Sequence, residues 1–464
     1  MQERIAVNHR EPQRFFTENT MYSSGDCRIA TVMEDEIIII IGAGAAGLMA
    51  ARELSLQKKK VIVLEANEYP GGRIRTTGDA LFSMPLELGA EFVHGKLTET
   101  FRLLRRYKLK RIPVKGTILR LKADGLEKSD YIEDRHHYLE KCLDALQEDL
   151  SIDEFIQRYF TNNEHEETGH EIRKFVEGYD LADTSRASTL AFRDEWRDEG
   201  KQFRIEGGYC GIVEGLMNDC VKAGVTFHFT SPVDTVHWKP NDIEAWTIDG
   251  QRYHGTKLLV TVPVKLLALQ EQPGAIRFDP PLPQIQLAAE QIGFGTLIKV
   301  FLEFETAFWK EERSIPRLGK KVKKAGFLFC DSVLPTWWTQ EPSDVPLLTG
   351  WLCGPASRTW AKTDKDTVRE LALQTLSGLF DESVHALASR LVGWRMIDWG
   401  AQTFARGAYS YRTVGDDVPL GILRTPIEGT IFFAGEALGK EGVGTVEAAL
   451  LSAKDAVGLM KVWG

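Results

Sequence analysis

The chain has 464 residues, of which 43% are hydrophobic and 27% charged, so it can bury one large core or two ordinary ones. Its 57 Lys and Arg residues and 66 Asp and Glu residues give a formal net charge of -9. This balance argues against a nucleic acid or an anionic membrane surface as the main partner, and it suits a cationic substrate.

The cysteines and the apolar runs indicate the environment of the protein. The six cysteines form no C-x-x-C pair, and no histidines cluster at metal-ligand spacing, so we predict reduced thiols, no metal site and a cytoplasmic location. The longest apolar run, 37–51, contains three glycines and is shorter than the roughly 20 residues of a membrane helix. We therefore predict no membrane span, and we interpret residues 1–33 as a flexible N-terminal arm.

Residues 34–65 predict a β-α-β unit, in which an apolar strand, a glycine turn and an alanine-rich helix precede a second strand at 61–64. The first strand contains five consecutive isoleucines, a pattern typical of a parallel strand covered on both faces. Residues 136–180 have helical spacing and few glycines, which predicts a helical insertion. Strand composition returns at 226–240, 243–248, 257–264, 296–304, 327–330 and 347–353, and the chain ends with a strand, a glycine turn and a helix.

A glycine motif lies between the first predicted strand and helix. Gly42, Gly44 and Gly47 form G-x-G-x-x-G, which provides a tight turn, close approach of the backbone to a pyrophosphate and close packing of helix on strand. Glu65 ends the second strand, where a carboxylate can accept hydrogen bonds from a ribose. The pattern predicts dinucleotide binding, and the alternative is that the glycines serve only a packed turn.

Further motifs resemble those of the flavin amine oxidase superfamily. The family's acidic residue followed by G-G-R corresponds here to Glu65 with Gly71, Gly72 and Arg73. The resemblance continues around Lys299 and in the segments 87–95, 203–216, 346–357, 404–411 and 433–453. It covers nearly everything after residue 34, and it implies FAD rather than NAD as the cofactor.

The resemblance implies an α/β fold with a Rossmann-like FAD-binding domain and an α+β substrate domain that contains a mixed sheet and helices. We expect each domain to be assembled from separate stretches of the chain. The FAD-binding domain would comprise 34–95, 202–272 and 393–464, and the substrate domain 96–201 and 273–392.

The resemblance also assigns FAD contacts to residues near both ends of the chain. These residues are Gly42, Gly44, Gly47, Glu65, Gly71, Gly72, Arg73, Gly435, Glu436, Gly444 and Thr445. Arg73 would neutralise the diphosphate, although an arginine beside a turn can also be an ordinary surface residue. The helix that begins near Thr445 would direct its positive end at the pyrimidine edge of the flavin.

The reaction itself is assigned to Lys299 and Tyr409. The family has a lysine on this strand, bonded through a water to the reactive ring nitrogen of the flavin; without the resemblance, Lys299 would be expected on the solvent side of a strand. Tyr409 would form one of two aromatic walls that position the amine, and Thr445 stands where the family has the second wall. His94 matches a histidine that lines the site of some polyamine-oxidising relatives. Core and loop roles for Tyr409 and His94 are the alternatives.

Some residues near these motifs carry no directional information in the sequence. We interpret Glu91, Trp337, Trp338, Trp351 and the acidic run 194–195 as structural rather than functional. Ala408 stands where the membrane-bound monoamine oxidases have the cysteine that attaches FAD covalently, so we predict that FAD is held noncovalently.

The predicted function is oxidation of an amine to an imine, which hydrolyses to an aldehyde and ammonia or a smaller amine, with reduction of molecular oxygen to hydrogen peroxide. The cofactor carries the electron chemistry, so no metal or side-chain nucleophile is required. The alternatives are an L-amino-acid oxidase, a dehydrogenase or desaturase of the same fold, and a protein-binding flavoprotein. The sequence leaves open the amine, the physiological electron acceptor and the oligomeric state.

Overall fold

The computed structural model describes residues 36–95, 97–122, 125–128, 136–162, 164–197, 201–312, 318–361 and 363–463, and the predicted arm at 1–33 lies outside them. The strands are β1 (Ile37–Ile41), β2 (Lys60–Leu64), β3 (Thr76–Thr77), β4 (Leu86–Glu87), β5 (Val93–His94), β6 (Arg111–Pro113), β7 (Thr117–Lys122), β8 (Gly125–Lys128), β9 (Gln202–Ile205), β10 (Thr226–His228), β11 (Val233–Lys239), β12 (Asp242–Thr247), β13 (Arg252–Gly255), β14 (Lys257–Val260), β15 (Arg277–Asp279), β16 (Gly293–Phe294), β17 (Leu297–Phe304), β18 (Ala325–Phe329), β19 (Thr336–Trp338), β20 (Leu347–Cys353), β21 (Leu391–Asp398), β22 (Ser410–Tyr411) and β23 (Ile431–Phe433).

The α-helices are α1 (Ala45–Leu56), α2 (Thr98–Arg106), α3 (His136–Asp144), α4 (Ile152–Tyr159), α5 (Glu166–Tyr179), α6 (Thr189–Trp196), α7 (Cys210–Lys222), α8 (Val264–Leu267), α9 (Pro283–Gln291), α10 (Gly354–Trp360), α11 (Lys365–Phe380), α12 (Val384–Ser389), α13 (Asp417–Arg424) and α14 (Val446–Val462). Short 3₁₀ helices cover Phe308–Lys310, Lys320–Lys324 and Glu436–Leu438. Among the described helices, none is both long enough and apolar enough to cross a membrane.

A five-stranded parallel sheet carries the glycine motif. Its strand order is β10-β2-β1-β14-β23, so β1 lies at the centre. Ile38 and Ile40 pack into the same core as residues of α1 and α14, whereas Ile39 and Ile41 pack into a second core on the other face. The isoleucine run is therefore covered on both faces, as predicted. The carboxyl ends of these strands meet at one edge, where open α/β sheets bind their ligands.

A seven-stranded mixed sheet carries the predicted catalytic lysine. Its order is β21-β17-β20-β19-β18-β7-β8, and all eight residues of β17 are buried between β21 and β20. The solvent-side interpretation of Lys299 is therefore wrong, because this residue is only 2% exposed. A central strand that is covered on both faces offers no solvent side.

The predicted helical insertion is present as α3, α4 and α5, followed by α6. At the start of α4 the Ser151 hydroxyl accepts from the backbone N–H of Glu154, and the Glu154 carboxylate accepts from the backbone N–H of Ser151, so the two residues satisfy exposed amide groups reciprocally. Together with the two large sheets, these helices confirm the predicted mixed α/β fold. The division into two segmented domains stays a prediction.

Candidate functional site

One cavity connects the carboxyl edge of the parallel sheet with β17 of the mixed sheet. Its volume is about 1760 Å³, and every predicted site residue except Gly47 lines it. Sites for drug-sized ligands typically measure about 300–1,000 Å³. The cavity therefore has room for a large cofactor together with a small substrate.

The first glycine turn matches its predicted structural role. Gly42 has φ +104°, a conformation that favours glycine, and a Cβ atom on Gly47 would stand 1.9 Å from the Gly42 carbonyl oxygen. The helix α1 can approach the turn this closely only because residue 47 has no side chain. A second glycine turn is fastened to the first, since the N–H of Gly71 donates to the carbonyl oxygen of Ala43 at 2.8 Å.

The glycines that face the cavity leave space that protein atoms do not fill. A Cβ atom on Gly44 would meet nothing nearer than the Gly71 carbonyl oxygen at 4.0 Å, and one on Gly435 nothing nearer than the Val262 carbonyl oxygen at 3.9 Å. Gly44, Ala45 and Ala46 at the start of α1 line the same space, and a helix N-terminus favours a phosphate there. The residues present therefore fit the FAD that the motifs imply.

Glu65 follows β2 at the rim of this space and is 5% exposed. One of its carboxylate oxygens accepts from the N–H of Ala43 at 2.7 Å, and the other accepts from the backbone and side-chain nitrogens of Asn67, each at 2.9 Å. A carboxylate offers about four acceptor positions, so three bonds leave capacity for a ribose hydroxyl.

Arg73 and Glu436 contact each other across the cavity wall. The guanidinium donates to the Glu436 carboxylate at 2.7 Å and to the Ala408 carbonyl oxygen at 2.8 Å. Glu436 also accepts from the hydroxyl of Ser410. Arg73 thus shares its charge with a carboxylate, so its predicted neutralisation of the diphosphate would act through a paired rather than an isolated cation.

The Lys299 amine is held by protein acceptors. Its Nζ donates to the Glu87 carbonyl oxygen at 2.6 Å, to the Glu91 carboxylate at 2.8 Å and to the Gly89 carbonyl oxygen at 3.4 Å. The ring centroid of Trp338 lies 5.3 Å from this nitrogen. These three acceptors match the three protons of an ammonium group, so the amine is fixed by the segment 87–91.

The other oxygen of Glu91 accepts from the Trp338 indole N–H and from Arg204 Nε, both at 2.9 Å. Burial alone would raise the pKa of Glu91, but the neighbouring Lys299 and Arg204 outweigh burial and hold that pKa below its usual range. Glu91 is therefore a buried carboxylate between two cations.

The predicted aromatic wall lies opposite the end of α5. The Tyr409 hydroxyl donates to the carbonyl oxygen of Tyr179, whose ring meets that of His94 edge-on with centroids 5.8 Å apart. Burial raises the pKa of Tyr409 well above its usual value, so the phenol keeps its proton. A Cβ atom on Gly444 would stand 3.3 Å from the Tyr409 ring, which places this ring beside the loop that leads into α14.

Thr445 lines the cavity next to this wall, but its hydroxyl also has a structural task. It accepts from the N–H of Ala448 at 3.1 Å and donates to the Gly442 carbonyl oxygen at 2.6 Å, so it caps α14. The structure thus brings Lys299, Tyr409, His94 and Thr445 to one cavity, with Thr445 committed in addition to the helix.

Several residues interpreted as structural line the cavity as well. They are Glu91, Trp338, Trp351, Asp194 and Glu195. Trp337, by contrast, is fully buried in the core of the mixed sheet, as interpreted. The sequence did not single out Asp180, another lining residue, whose pKa is raised well above its usual value by burial and by Glu195. No local motif marks these positions, because each reaches the cavity through tertiary packing.

In the part of the chain that the structure describes, no group of three or more His, Cys, Asp or Glu side chains is arranged to hold a metal ion. The five described cysteines are free, and none of them lines the cavity.

Known proteins share both the sequence pattern and the fold. The model of the family "Flavin containing amine oxidoreductase" matches residues 45–460. Lysine-specific histone demethylase 1 homolog 3 of Arabidopsis thaliana is 26% identical over 92% of this chain, which spans only 30% of that relative. Polyamine oxidase 2 of Arabidopsis thaliana is 25% identical, with 90% of this chain and 87% of the relative covered.

A solved structure of putrescine oxidase bound to putrescine superimposes with a TM-score of 0.74 at 19% identity, covering 92% of this chain and 99% of that one. This likeness shows a shared fold. Because the family model matches most of the chain, the protein belongs to the flavin-containing amine oxidoreductases.

Proposed function

We propose that this protein is an amine oxidase that uses molecular oxygen as its electron acceptor. The observation that carries the proposal is the single cavity lined both by the glycine turns and by Lys299, Tyr409 and His94. When bound, FAD would supply a two-electron acceptor, so that a hydride equivalent would leave the carbon beside a neutral amine nitrogen and both electrons would pass on to molecular oxygen, giving hydrogen peroxide once two protons are added. Water then hydrolyses the imine to a carbonyl compound and ammonia or a smaller amine.

In this reaction the described residues bind, orient and exclude water. The ring of Tyr409 is held by its hydrogen bond to Tyr179 and offers an apolar face to the uncharged amine. Lys299 contributes a positive charge to the cavity wall, which favours the negative charge that develops when electrons arrive. The buried walls keep this region dry and so strengthen both effects.

The charged groups favour an amine over an amino acid. An amino-acid oxidase needs a cation for the substrate carboxylate, and arginine suits that role best. The arginines that line the cavity, Arg73 and Arg412, are both paired with carboxylates, namely Glu436 for the first and Asp416 for the second. Asp194 and Glu195 line the same space and suit a cationic substrate instead.

FAD is proposed to be noncovalent, since Ala408 offers no thiol beside Tyr409 and no described cysteine reaches the cavity. A cytoplasmic location is proposed because the described cysteines are free thiols, which suit a reducing compartment.

A peroxide-coupled screen of the purified holoprotein tests the function. Monoamines, polyamines, a methylated lysine peptide and L-amino acids are each offered in air, and released peroxide is measured. The peptide is included because several relatives are named histone demethylases. We expect peroxide with at least one amine and none with L-amino acids, and Tyr409→Ala should lower turnover of the best amine while FAD stays bound. Peroxide from L-amino acids alone, or from no compound, contradicts the proposal.

A further inference from the structure

A buried network of three charged side chains connects the mixed sheet to the segment 87–91. Glu91 bonds Lys299 with one carboxylate oxygen and Arg204 with the other, and the three side chains are 6%, 3% and 14% exposed. Arg204 is fixed further by the carbonyl oxygens of Thr339 and Glu341, each at 3.2 Å. Every member is thus held by several partners rather than by one flexible contact.

The charges in this network do not cancel. Two cations share one carboxylate, so the network carries one excess positive charge in a place where water is scarce. Another titratable group beside Lys299 is Glu87, whose carboxylate accepts from the Tyr209 N–H at 2.6 Å and from the Thr76 hydroxyl, and whose carbonyl oxygen bonds the amine. Burial raises the pKa of Glu87 to about 7, so it supplies at most a partial countercharge near neutral pH.

We propose that Glu91 is the positioning residue of Lys299: its carboxylate holds the amine against the segment 87–91, so that Lys299 acts as a fixed positive charge in the cavity wall. The inference rests on the proposed function for its catalytic meaning. Its physical content does not, because the ion pair between Glu91 and Lys299 is a property of the holoprotein without any amine.

The proposal predicts a specific result when Glu91 becomes neutral. Glu91→Gln leaves two buried cations without a carboxylate and adds an amide N–H₂ that has no acceptor among them. Arginine does not release its proton in proteins, so of the two cations only Lys299 can give up its charge once the carboxylate is gone. The variant should therefore show an ionisation that is absent when Lys299 is also removed.

The stability test is a double-mutant cycle on the FAD-bound protein. Lys299→Met should lower the melting temperature of the wild type, because it breaks a satisfied ion pair. The same change should raise the melting temperature of Glu91→Gln, because the double variant returns to a single buried cation at Arg204. Glu303→Gln is the matched control, since this buried glutamate on β17 accepts from the Ser83 N–H and pairs with no cation among the described residues. In its background Lys299→Met should remain destabilising.

A second readout reports on the cavity rather than on folding. The midpoint potential of bound FAD is measured against pH for Glu91→Gln and for Glu91→Gln/Lys299→Met. Both proteins also carry Glu87→Gln, because Lys299 lowers the pKa of the Glu87 carboxyl and its titration would otherwise differ between them. We expect the potential to step downward with rising pH only in the protein that retains Lys299.

The outcomes separate this inference from the proposed function. Lys299→Met that destabilises the wild type and Glu91→Gln equally, or identical potential curves for the single and double variants, overturns the role of Glu91. If Glu91→Gln yields no folded protein, the double variant should still be recovered, and failure to recover it while Lys299→Met folds also overturns the role. Inactivity toward every amine would contradict the proposed function and leave these measurements interpretable.

Discussion

The glycine turns contribute backbone to the cavity, whereas the wall around Lys299 contributes buried charged side chains. At Gly44 and Gly435 the site consists of space that a side chain would fill. At Lys299, Glu91 and Arg204 it consists of an interlocked network whose members come from distant parts of the chain. The comparison separates holding the cofactor, which depends on shape, from setting the charge beside it, which depends on contacts.

The largest effect is expected where a side chain enters the cofactor space. Gly44 has φ -74° and no close neighbour, so Gly44→Val should fold and yet lose FAD, with affinity at least about 100-fold lower, or about 2.7 kcal/mol. Fluorescence titration with FAD and circular dichroism measure the two properties. Gly47→Val is the contrasting variant, because its side chain would collide with the Gly42 carbonyl and should destroy the fold itself.

If Gly44→Val bound FAD as tightly as the wild type does, the glycine turns would not be what holds the cofactor.

The next effect concerns Glu87, whose carbonyl oxygen accepts from the Lys299 amine. Its pKa is raised from 4.5 to about 7, chiefly by burial, so the folded protein binds this proton more tightly than the unfolded chain. Its contribution to stability is therefore complete below pH 4.5 and is lost as the pH rises toward 7. Glu87→Gln keeps an acceptor for the Tyr209 N–H and mimics the protonated acid. Above pH 7 it should be more stable than wild type by up to about 3 kcal/mol.

Urea unfolding of the holoprotein at a series of pH values measures this difference. If the unfolding free energies of Glu87→Gln and the wild type change with pH in parallel, the Glu87 carboxyl does not have the raised pKa on which this prediction depends.

Removing the lysine charge should slow the reaction with oxygen. Lys299→Met keeps the apolar stem, and Glu91 keeps Arg204 and Trp338 as partners, so the fold and FAD should remain. Rapid mixing of the reduced protein with oxygen should show reoxidation about 100-fold slower, equivalent to about 2.7 kcal/mol of barrier. Lys174→Met is the control, since Lys174 also lines the cavity but is half exposed and paired with Asp331. Equal reoxidation rates for wild type and Lys299→Met would reduce Lys299 to a structural ion pair.

The smallest effect is expected at Thr445, which lines the cavity and also caps α14. Thr445→Tyr should shift selectivity toward small primary amines by adding an aromatic face, and it should cost about 1 kcal/mol because the cap of α14 is lost. Thr445→Ser keeps the cap and should change neither property. Comparison of kcat/KM for small and large amines, together with melting temperatures, measures both. Unchanged selectivity in Thr445→Tyr would show that the second aromatic wall does not form here.

The same contrast explains what the sequence could predict. The glycine turn requires glycine at fixed spacing, so Gly42, Gly44 and Gly47 could be recognised within a few residues of chain. The isoleucine run of β1 likewise specified its burial, because a strand covered on both faces has no polar alternation. These features are local, and the structure agrees with them.

The charged network of Glu91, Lys299 and Arg204 could not be predicted in the same way. Glu91 meets Lys299 only after β17 is placed between β21 and β20 in the mixed sheet, and Arg204 reaches Glu91 from β9. Asp180 lies in the cavity because α5 ends there. The spacing of residues along the chain does not indicate these contacts. The sequence alone therefore predicts a structural role for Glu91, although this residue lines the site.

The central claim is that the glycine turns and the charged side chains around Lys299 form one amine-oxidising site. Its most direct test is an anaerobic titration of the holoprotein with the amine that performs best in the peroxide screen, followed through the visible absorbance of bound FAD. We predict that the absorbance of the oxidised flavin is lost on addition of the amine and returns when air is admitted. Absorbance that stays unchanged with every amine, in protein whose FAD is reducible by dithionite, would contradict the account.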